Sequence, residues 1–303
     1  MKRKEPLETD QQMEHHPLFS VIIPTYNRGR ILSSTLDSVL KQSFENWECI
    51  IIDDGSTDNT QTFIKGYLED PRFTYHYQNN AERSAARNKG IDIAKGKYLC
   101  FLDSDDLFLK DHLSELANQI STESTPHLFF TNGIVDKNGS KKKVSFPTYD
   151  KSADYFIVNS VIPARVCIDR AILEKFRFDP EIVIVEDSVL WTEIHLEYPV
   201  KHLELDTIVY RWHGGNSVNL ENNSFLPRLK GLRRLFSKQK VKERISLQQR
   251  NAALSNCYYG IAKYYKIKRK WLAMCFNIVR SILLDPKSKQ TKTKIYMVYE
   301  FFR

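Results

Sequence analysis

Two hydrophobic regimes alternate along the first hundred residues of this chain. Short, nearly unbroken apolar runs fall at Ser20-Val21-Ile22-Ile23, Cys49-Ile50-Ile51-Ile52, Phe73 to Tyr77 and Tyr98 to Leu102. Between them, helical spacing runs from about Ile31 to Gln42, again after Thr57, and through Ala85 to Ala94. Apolar runs bounded by turn residues read as buried strands, and three- to four-residue spacing reads as amphipathic helix. The alternation predicts a mostly parallel, Rossmann-like sheet with helices on both faces. Open sheets of this kind bind ligands outside the carboxyl ends of their strands.

Polar clusters stand at those ends. The first strand leads into Pro24-Thr25-Tyr26-Asn27-Arg28, the second into Asp53-Asp54-Gly55-Ser56-Thr57-Asp58, and the fourth into Asp103-Ser104-Asp105-Asp106. Pro24 and Gly55 permit sharp exits, Tyr26 offers an aromatic face, and Asp54 can accept a hydrogen bond from a pyrimidine N–H. The three clusters outline a nucleotide pocket. The chain has no Gly-x-Gly-x-x-Gly after its first strand and no P-loop, so a diphosphate would be neutralised by carboxylate-bound Mg²⁺ or Mn²⁺. Asp105 is the expected direct ligand. The competing reading is that these acids cap a helix from Lys110 onward.

Further along, Glu186-Asp187 follows the apolar Ile182-Val183-Ile184-Val185 and opens a helix with Leu190, Trp191 and Ile194 on one face. Acids at a helix start also complement its dipole. His213, after the strand-like Ile208-Val209-Tyr210 and before Gly214-Gly215, can serve as a third metal ligand or donate a hydrogen bond to a phosphate. Arg87, with Arg83 one turn earlier, can face the nucleotide or the diphosphate. Asp136-Lys137-Asn138-Gly139-Ser140 predicts a hairpin turn, and Ala164 to Ile168 a strand returning beside the site.

Composition bounds the class. With 303 residues, 42% of them hydrophobic, the chain can build one large domain or two. The net charge of +8 comes from 45 basic and 37 acidic side chains, which suits an anionic partner without naming it. Five scattered cysteines with no Cys-x-x-Cys pair disfavour a disulfide framework and a structural zinc. Reduced thiols in a cytoplasmic protein are expected. Residues 1–17 are polar, without the apolar core of a signal peptide, and are expected to be a flexible tail. No run of eighteen apolar residues suggests a spanning helix.

As an ensemble, Val21 to Arg28, Asp53 to Asp58, Ala86-Arg87-Asn88-Lys89-Gly90 and Phe101 to Asp106 resemble the family 2 inverting glycosyltransferases of the GT-A fold. Glu186 to Trp191 looks like that family's Glu-Asp motif, and Tyr210 to Ser217 like its terminal metal-and-diphosphate loop. The resemblance covers roughly Phe19 to Asn219. It implies a GT-A catalytic domain over residues 18–221, a nucleotide-diphospho-sugar donor with a UDP-sugar favoured, a divalent metal, and inverting transfer to an acceptor hydroxyl. By residue-wise match, Asp187 is the catalytic base and Glu186 positions sugar hydroxyls. The donor set is Pro24, Tyr26, Arg28, Asp54, Arg87 and Asp103; the metal set is Asp105 with His213 and Asp106. The acceptor implied is a saccharide or lipid-linked saccharide of a bacterial surface polysaccharide or glycolipid. Alternatives are a sugar-phosphate nucleotidyltransferase, which should carry a Gly- and Arg-rich loop where Thr25-Tyr26-Asn27 stands, and an inactive sugar-nucleotide-binding module, against which the presence of both Asp105 and Asp187 argues.

After about Asn222 the chain is helical in pattern and basic, and residues 222–303 are expected to form an α-helical C-terminal region. Phe225, Leu229, Leu232 and Phe236 form a stripe flanked by Arg228, Arg233, Arg234 and Lys238. Two readings stand side by side: a peripheral contact with an anionic membrane surface, on the inner face of the cytoplasmic membrane, or ordinary packing on the catalytic domain. Interleaved bases and aromatics from Tyr264 to Trp271 carry no nucleic-acid recognition motif, and no nucleic-acid partner is expected.

Overall fold

The computed structural model describes residues 16–212 and 223–299. Strands β1 (Phe19–Thr25), β2 (Trp47–Asp53), β3 (Phe73–Tyr77) and β4 (Tyr98–Phe101) pair in parallel in the order β3-β2-β1-β4. They alternate with α1 (Gly29–Leu40), the short α2 (Thr60–Ile64) and α3 (Glu82–Ile93). The apolar runs are unbroken because both faces are covered. Phe19, Val21 and Ile23 join a core that includes Leu32 and Leu36 of α1, while Ile22 joins a second core with Ala86 and Ile91 of α3. Gly90 brings α3 against β1: a Cβ there would lie 2.4 Å from Cγ2 of Ile22.

Beyond β4 the chain forms β5 (Leu107–Phe108), α4 (His112–Ile120), β6 (Leu128–Lys137), β7 (Ser140–Lys143), α5 (Tyr155–Val158), β8 (Val166–Asp169), α6 (Arg170–Lys175), α7 (Glu186–His195) and β9 (Val200–Trp212). The sheet continues β4-β8-β6-β9-β5, with β7 on β6. β8 runs antiparallel to both neighbours, so the parallel pairing of the first hundred residues becomes mixed. The expected hairpin is present between β6 and β7, with Asn138 and Gly139 both at positive φ, the signature of a type I′ turn. Residues 103–106 precede both β5 and α4, whose N-cap position is Asp111. None of those three acids caps the following helix.

The C-terminal region is helical: α8 (Phe225–Ser237), α9 (Gln239–Arg244), α10 (Leu247–Ile267), α11 (Trp271–Leu284) and α12 (Thr291–Tyr299). The α8 stripe packs inward. Leu229, Leu232 and Phe236 share a buried cluster with Ile182, Val185 and Val189 of the α7 region and with Cys257 and Ile261 of α10, and Phe225 packs against it. Its basic flank is likewise engaged within the protein: Arg234 pairs with Asp179 and Glu181, Lys238 with Glu193, Arg228 donates to the Ile157 carbonyl at 3.0 Å, and Arg233 donates to the Tyr258 hydroxyl of α10. This settles the stripe as internal packing, because a helix face cannot cover a core and meet a membrane at once. No helix among the described residues is long and apolar enough to cross a membrane.

Candidate active site

The carboxyl ends of β1, β2 and β4 meet at a cavity of about 560 Å³. Pro24, Thr25, Tyr26 and Arg28 enter it from β1, Asp54 from β2, and Asp103, Ser104 and Asp105 from β4. The strand ends are tied together: the Asp54 N–H donates to the Thr25 carbonyl at 2.8 Å and the Leu102 N–H to that of Ile22 at 3.0 Å. Asp53 points away and is structural, its carboxylate accepting from the Ser56 N–H and the Tyr75 hydroxyl. Asp54 is buried, and its Oδ1 accepts from Gln78 Nε2 at 2.7 Å and the Ala81 N–H at 2.9 Å. Its orientation is therefore fixed before any ligand arrives. Gly55 turns the chain at φ +85°, and a Cβ there would sit 2.8 Å from the Asn80 nitrogen. Tyr26 is 48% exposed, an aromatic face left open on the rim.

Arg87 occupies the centre of the site. Its guanidinium is buried and forked, with Nη2 2.7 Å from Asp103 and Nη1 2.9 Å from Glu186. Burial alone would lower its pKa, but Asp103 and Glu186 outweigh that and raise it. Arg87, expected to face the nucleotide or the diphosphate, lines the cavity, and both arms of its fork are engaged, clamping the end of β4 to the start of α7. Arg83 stands 3.9 Å from the same Glu186 oxygen.

Glu186 and Asp187 are the first residues of α7, and both line the cavity with Ser188. The helix is seated by Trp191, whose indole N–H donates to the Val161 carbonyl at 2.9 Å, and by the burial of Leu190 and Ile194. Val185, just before it, sits at φ 68°, an uncommon conformation for a β-branched residue and one that strained sites retain. Burial first, and then the neighbouring Glu186, push the Asp187 carboxyl up to about 7. A carboxylate so poised can take up a proton near neutral pH.

Asp105 lines the cavity and its Oδ2 lies 3.3 Å from Arg28 Nη1. Asp103 and Asp105 are hard oxygen donors of the kind that hold Mg²⁺ or Mn²⁺ through one or two carboxylates, with substrate phosphates and water completing the shell. Among the described residues no group of three or more His, Cys, Asp or Glu side chains is assembled to hold a metal. His213 and the Gly214 to Ser217 loop lie outside the described residues.

Asp106, expected as a direct ligand of the metal or a supporting group beside it, is not placed to ligate a metal in the cavity. It is 1% exposed and does not line the cavity; its Oδ1 accepts the Arg211 N–H at 3.0 Å, fixing β9 to the acidic turn. Burial, with Asp103 and Asp105 adding to it, raises its pKa well above the carboxylate range. The remaining lining comes from Asn80, Ser160, Ile162, Pro163, Tyr210 and Arg228, among others. Arg228 had no local signal for this role, since α8 reads in sequence as a packing stripe with basic flanks.

Solved structures share this architecture. The Staphylococcus aureus TarS 1-349 structure in complex with UDP-GlcNAc matches with a TM-score of 0.65 over 88% of this chain and 81% of that one, at 18% identity. The fold is GT-A. Among curated proteins, the putative colanic acid biosynthesis glycosyl transferase WcaA of Escherichia coli is 30% identical over 70% of this chain and 79% of its own length. The Campylobacter jejuni GalNAc(5)-diNAcBac-PP-undecaprenol beta-1,3-glucosyltransferase is 27% identical over 88% of each. Uncharacterized glycosyltransferases of Rickettsia are longer, and the chain spans 36% of the length of two of them. The Glycosyl transferase family 2 model matches residues 20–175, more than half of the chain, and with that match and the 30% identity to WcaA the chain belongs to glycosyl transferase family 2.

Proposed function

We propose that the chain moves a sugar from a nucleotide-diphospho-sugar to an acceptor hydroxyl, with inversion at the anomeric carbon. The observation that carries this reading is the Asp187 carboxyl, raised to about 7, in the same cavity as Asp54, Asp103 and Asp105. Asp187 takes the acceptor's proton as its oxygen attacks the face opposite the leaving diphosphate. Glu186, clamped by Arg87, orients sugar hydroxyls. Tyr26 stacks on the base, and Asp54 accepts from a ring N–H, which favours uracil; the UDP-GlcNAc complex of TarS supports the same donor class. Pro24 shapes that wall, and Arg28 lies between the base pocket and Asp105.

Asp105, with Asp103 beside it, would hold Mg²⁺ or Mn²⁺, which when bound neutralises charge building on the departing diphosphate. His213 is proposed as a further ligand. Residues 18–221 are proposed as the catalytic unit and 222–303 as a helical region packed on it. The names of the Escherichia coli and Campylobacter jejuni relatives support a polysaccharide or lipid-linked saccharide acceptor, and hence work at the cytoplasmic face of a membrane.

The test is a panel of nucleotide sugars screened with Mn²⁺ for thermal stabilisation and slow hydrolysis. One nucleoside-diphosphate class should raise the melting temperature of the full chain and be hydrolysed, and Asp105→Asn should lose that response. If millimolar concentrations of every such donor leave both readouts unchanged, the proposal fails.

A further inference from the structure

Among the described residues, the C-terminal helices leave an apolar face exposed. On α11, Leu272, Phe276, Val279 and Leu283 fall on a single stripe and are 82%, 55%, 51% and 75% exposed. The opposite stripe of the same helix, with Met274 and Ile278, is buried against Tyr259 and Ala262 of α10 and Met297 of α12. On α12, Ile295, Tyr296 and Tyr299 are each more than half exposed. Water-facing apolar stripes of this extent mark a surface with a partner.

Charge identifies the partner. From Lys263 to Tyr299 there are ten basic side chains and one acid, Asp285. Exposed Lys268, Arg269 and Lys270 precede α11, exposed Lys287, Lys289 and Lys292 follow it, and Arg280 lies 4.2 Å over the Phe276 ring. A second copy of the chain docking face to face would bring two such basic rims together, which repels. An anionic lipid surface complements them, while the apolar stripe enters the headgroup boundary and Tyr296 and Tyr299 suit the interface. At 14 residues, α11 is about 21 Å long, shorter than a bilayer core, so it lies in the plane.

We infer that the α11–α12 face docks the protein on an anionic bilayer. The α8 stripe, which is buried, has no part in this contact. α11 packs on α10 and α10 on α8, whose Arg228 lines the cavity, so docking would hold the active site at a fixed attitude to the membrane. The use of such an attitude rests on the proposed lipid-linked acceptor, but the docking itself is measured without turnover.

The full chain is floated with vesicles of phosphatidylcholine alone and with vesicles containing phosphatidylglycerol, at low and high salt. Binding is expected to the anionic vesicles only and to fall with salt. Leu272→Gln with Leu283→Gln should weaken it roughly tenfold or more, and Lys287→Gln, Lys289→Gln and Lys292→Gln together on the order of a hundredfold. All five positions are exposed, and nucleotide-induced thermal stabilisation reports separately whether each variant is folded and whether the donor reading holds. Absence of vesicle binding at low salt, or equal binding to neutral vesicles, overturns the inference. So does a light-scattering dimer in the parent chain that the Leu272→Gln, Leu283→Gln variant abolishes while neither binds vesicles.

Discussion

Replacing Asp187 by Asn should stabilise the fold while removing activity. Asp187 is raised from the ordinary 3.8 to about 7, so the folded protein keeps this proton over a range where the unfolded chain has lost it. The folded state binds more protons between pH 4 and 7, and stability therefore falls as pH rises through that window. Above pH 7 the loss is complete and constant. At about 1.36 kcal/mol per pKa unit, the ceiling is roughly 4 kcal/mol, and relaxation around a charged Asp187 brings the measured value to about half of that. Asn retains an oxygen for the Ser188 N–H, which Asp187 Oδ1 accepts at 2.6 Å. The assay is urea unfolding of parent and variant at pH 4, 5.5 and 8. The two should lie within about 0.5 kcal/mol at pH 4, differ by an intermediate amount at pH 5.5, and differ by about 2–4 kcal/mol in favour of Asn at pH 8. The turnover number should fall by a factor on the order of 10² to 10⁴. A variant no more stable than the parent at pH 8, or one that retains turnover, refutes the reasoning.

Arg87→Ala leaves Glu186 buried without its guanidinium and should cost about 3–5 kcal/mol, read as a lowered denaturation midpoint, with turnover lost even where the fold survives at low temperature. Tyr26→Ala removes a stacking face only and should weaken nucleotide affinity by about 1–3 kcal/mol in calorimetry, with melting temperature unchanged. Chelation should stop transfer and added Mn²⁺ restore it in the parent, whereas Asp105→Asn should need far higher Mn²⁺ for any recovery; activity indifferent to chelator would remove Asp105 from its role.

Periodicity and strand-end chemistry carried much of this protein. The runs at Val21, Ile50 and Leu99 read as strands buried on both faces because they are short, rich in Ile and Val or bounded by turn residues, and too short for a buried helix, and the acids that follow them fall at the carboxyl edge of the sheet. That Pro24, Tyr26, Asp54, Asp103 and Asp105 line one cavity was legible for that reason, as was the place of Glu186-Asp187 at the head of a helix. Side-chain partners across sequence were not legible. Arg87 is bound to residues 16 and 99 positions away, and no local pattern says that its fork closes on Asp103 and Glu186. Asp106 differs from Asp105 by one position yet turns into the core to hold Arg211, a choice made by β9 pairing in from the far side of the sheet. The same holds at the C-terminus: sequence marks α8 as an apolar stripe with basic flanks and Tyr264 to Trp271 as a basic, aromatic patch, and only packing, which covers the α8 stripe with the α7 region and leaves a stripe of α11 exposed, decides which can meet a membrane. Local order is set by neighbours in sequence; the states of individual charges and faces are set by whatever the fold brings against them.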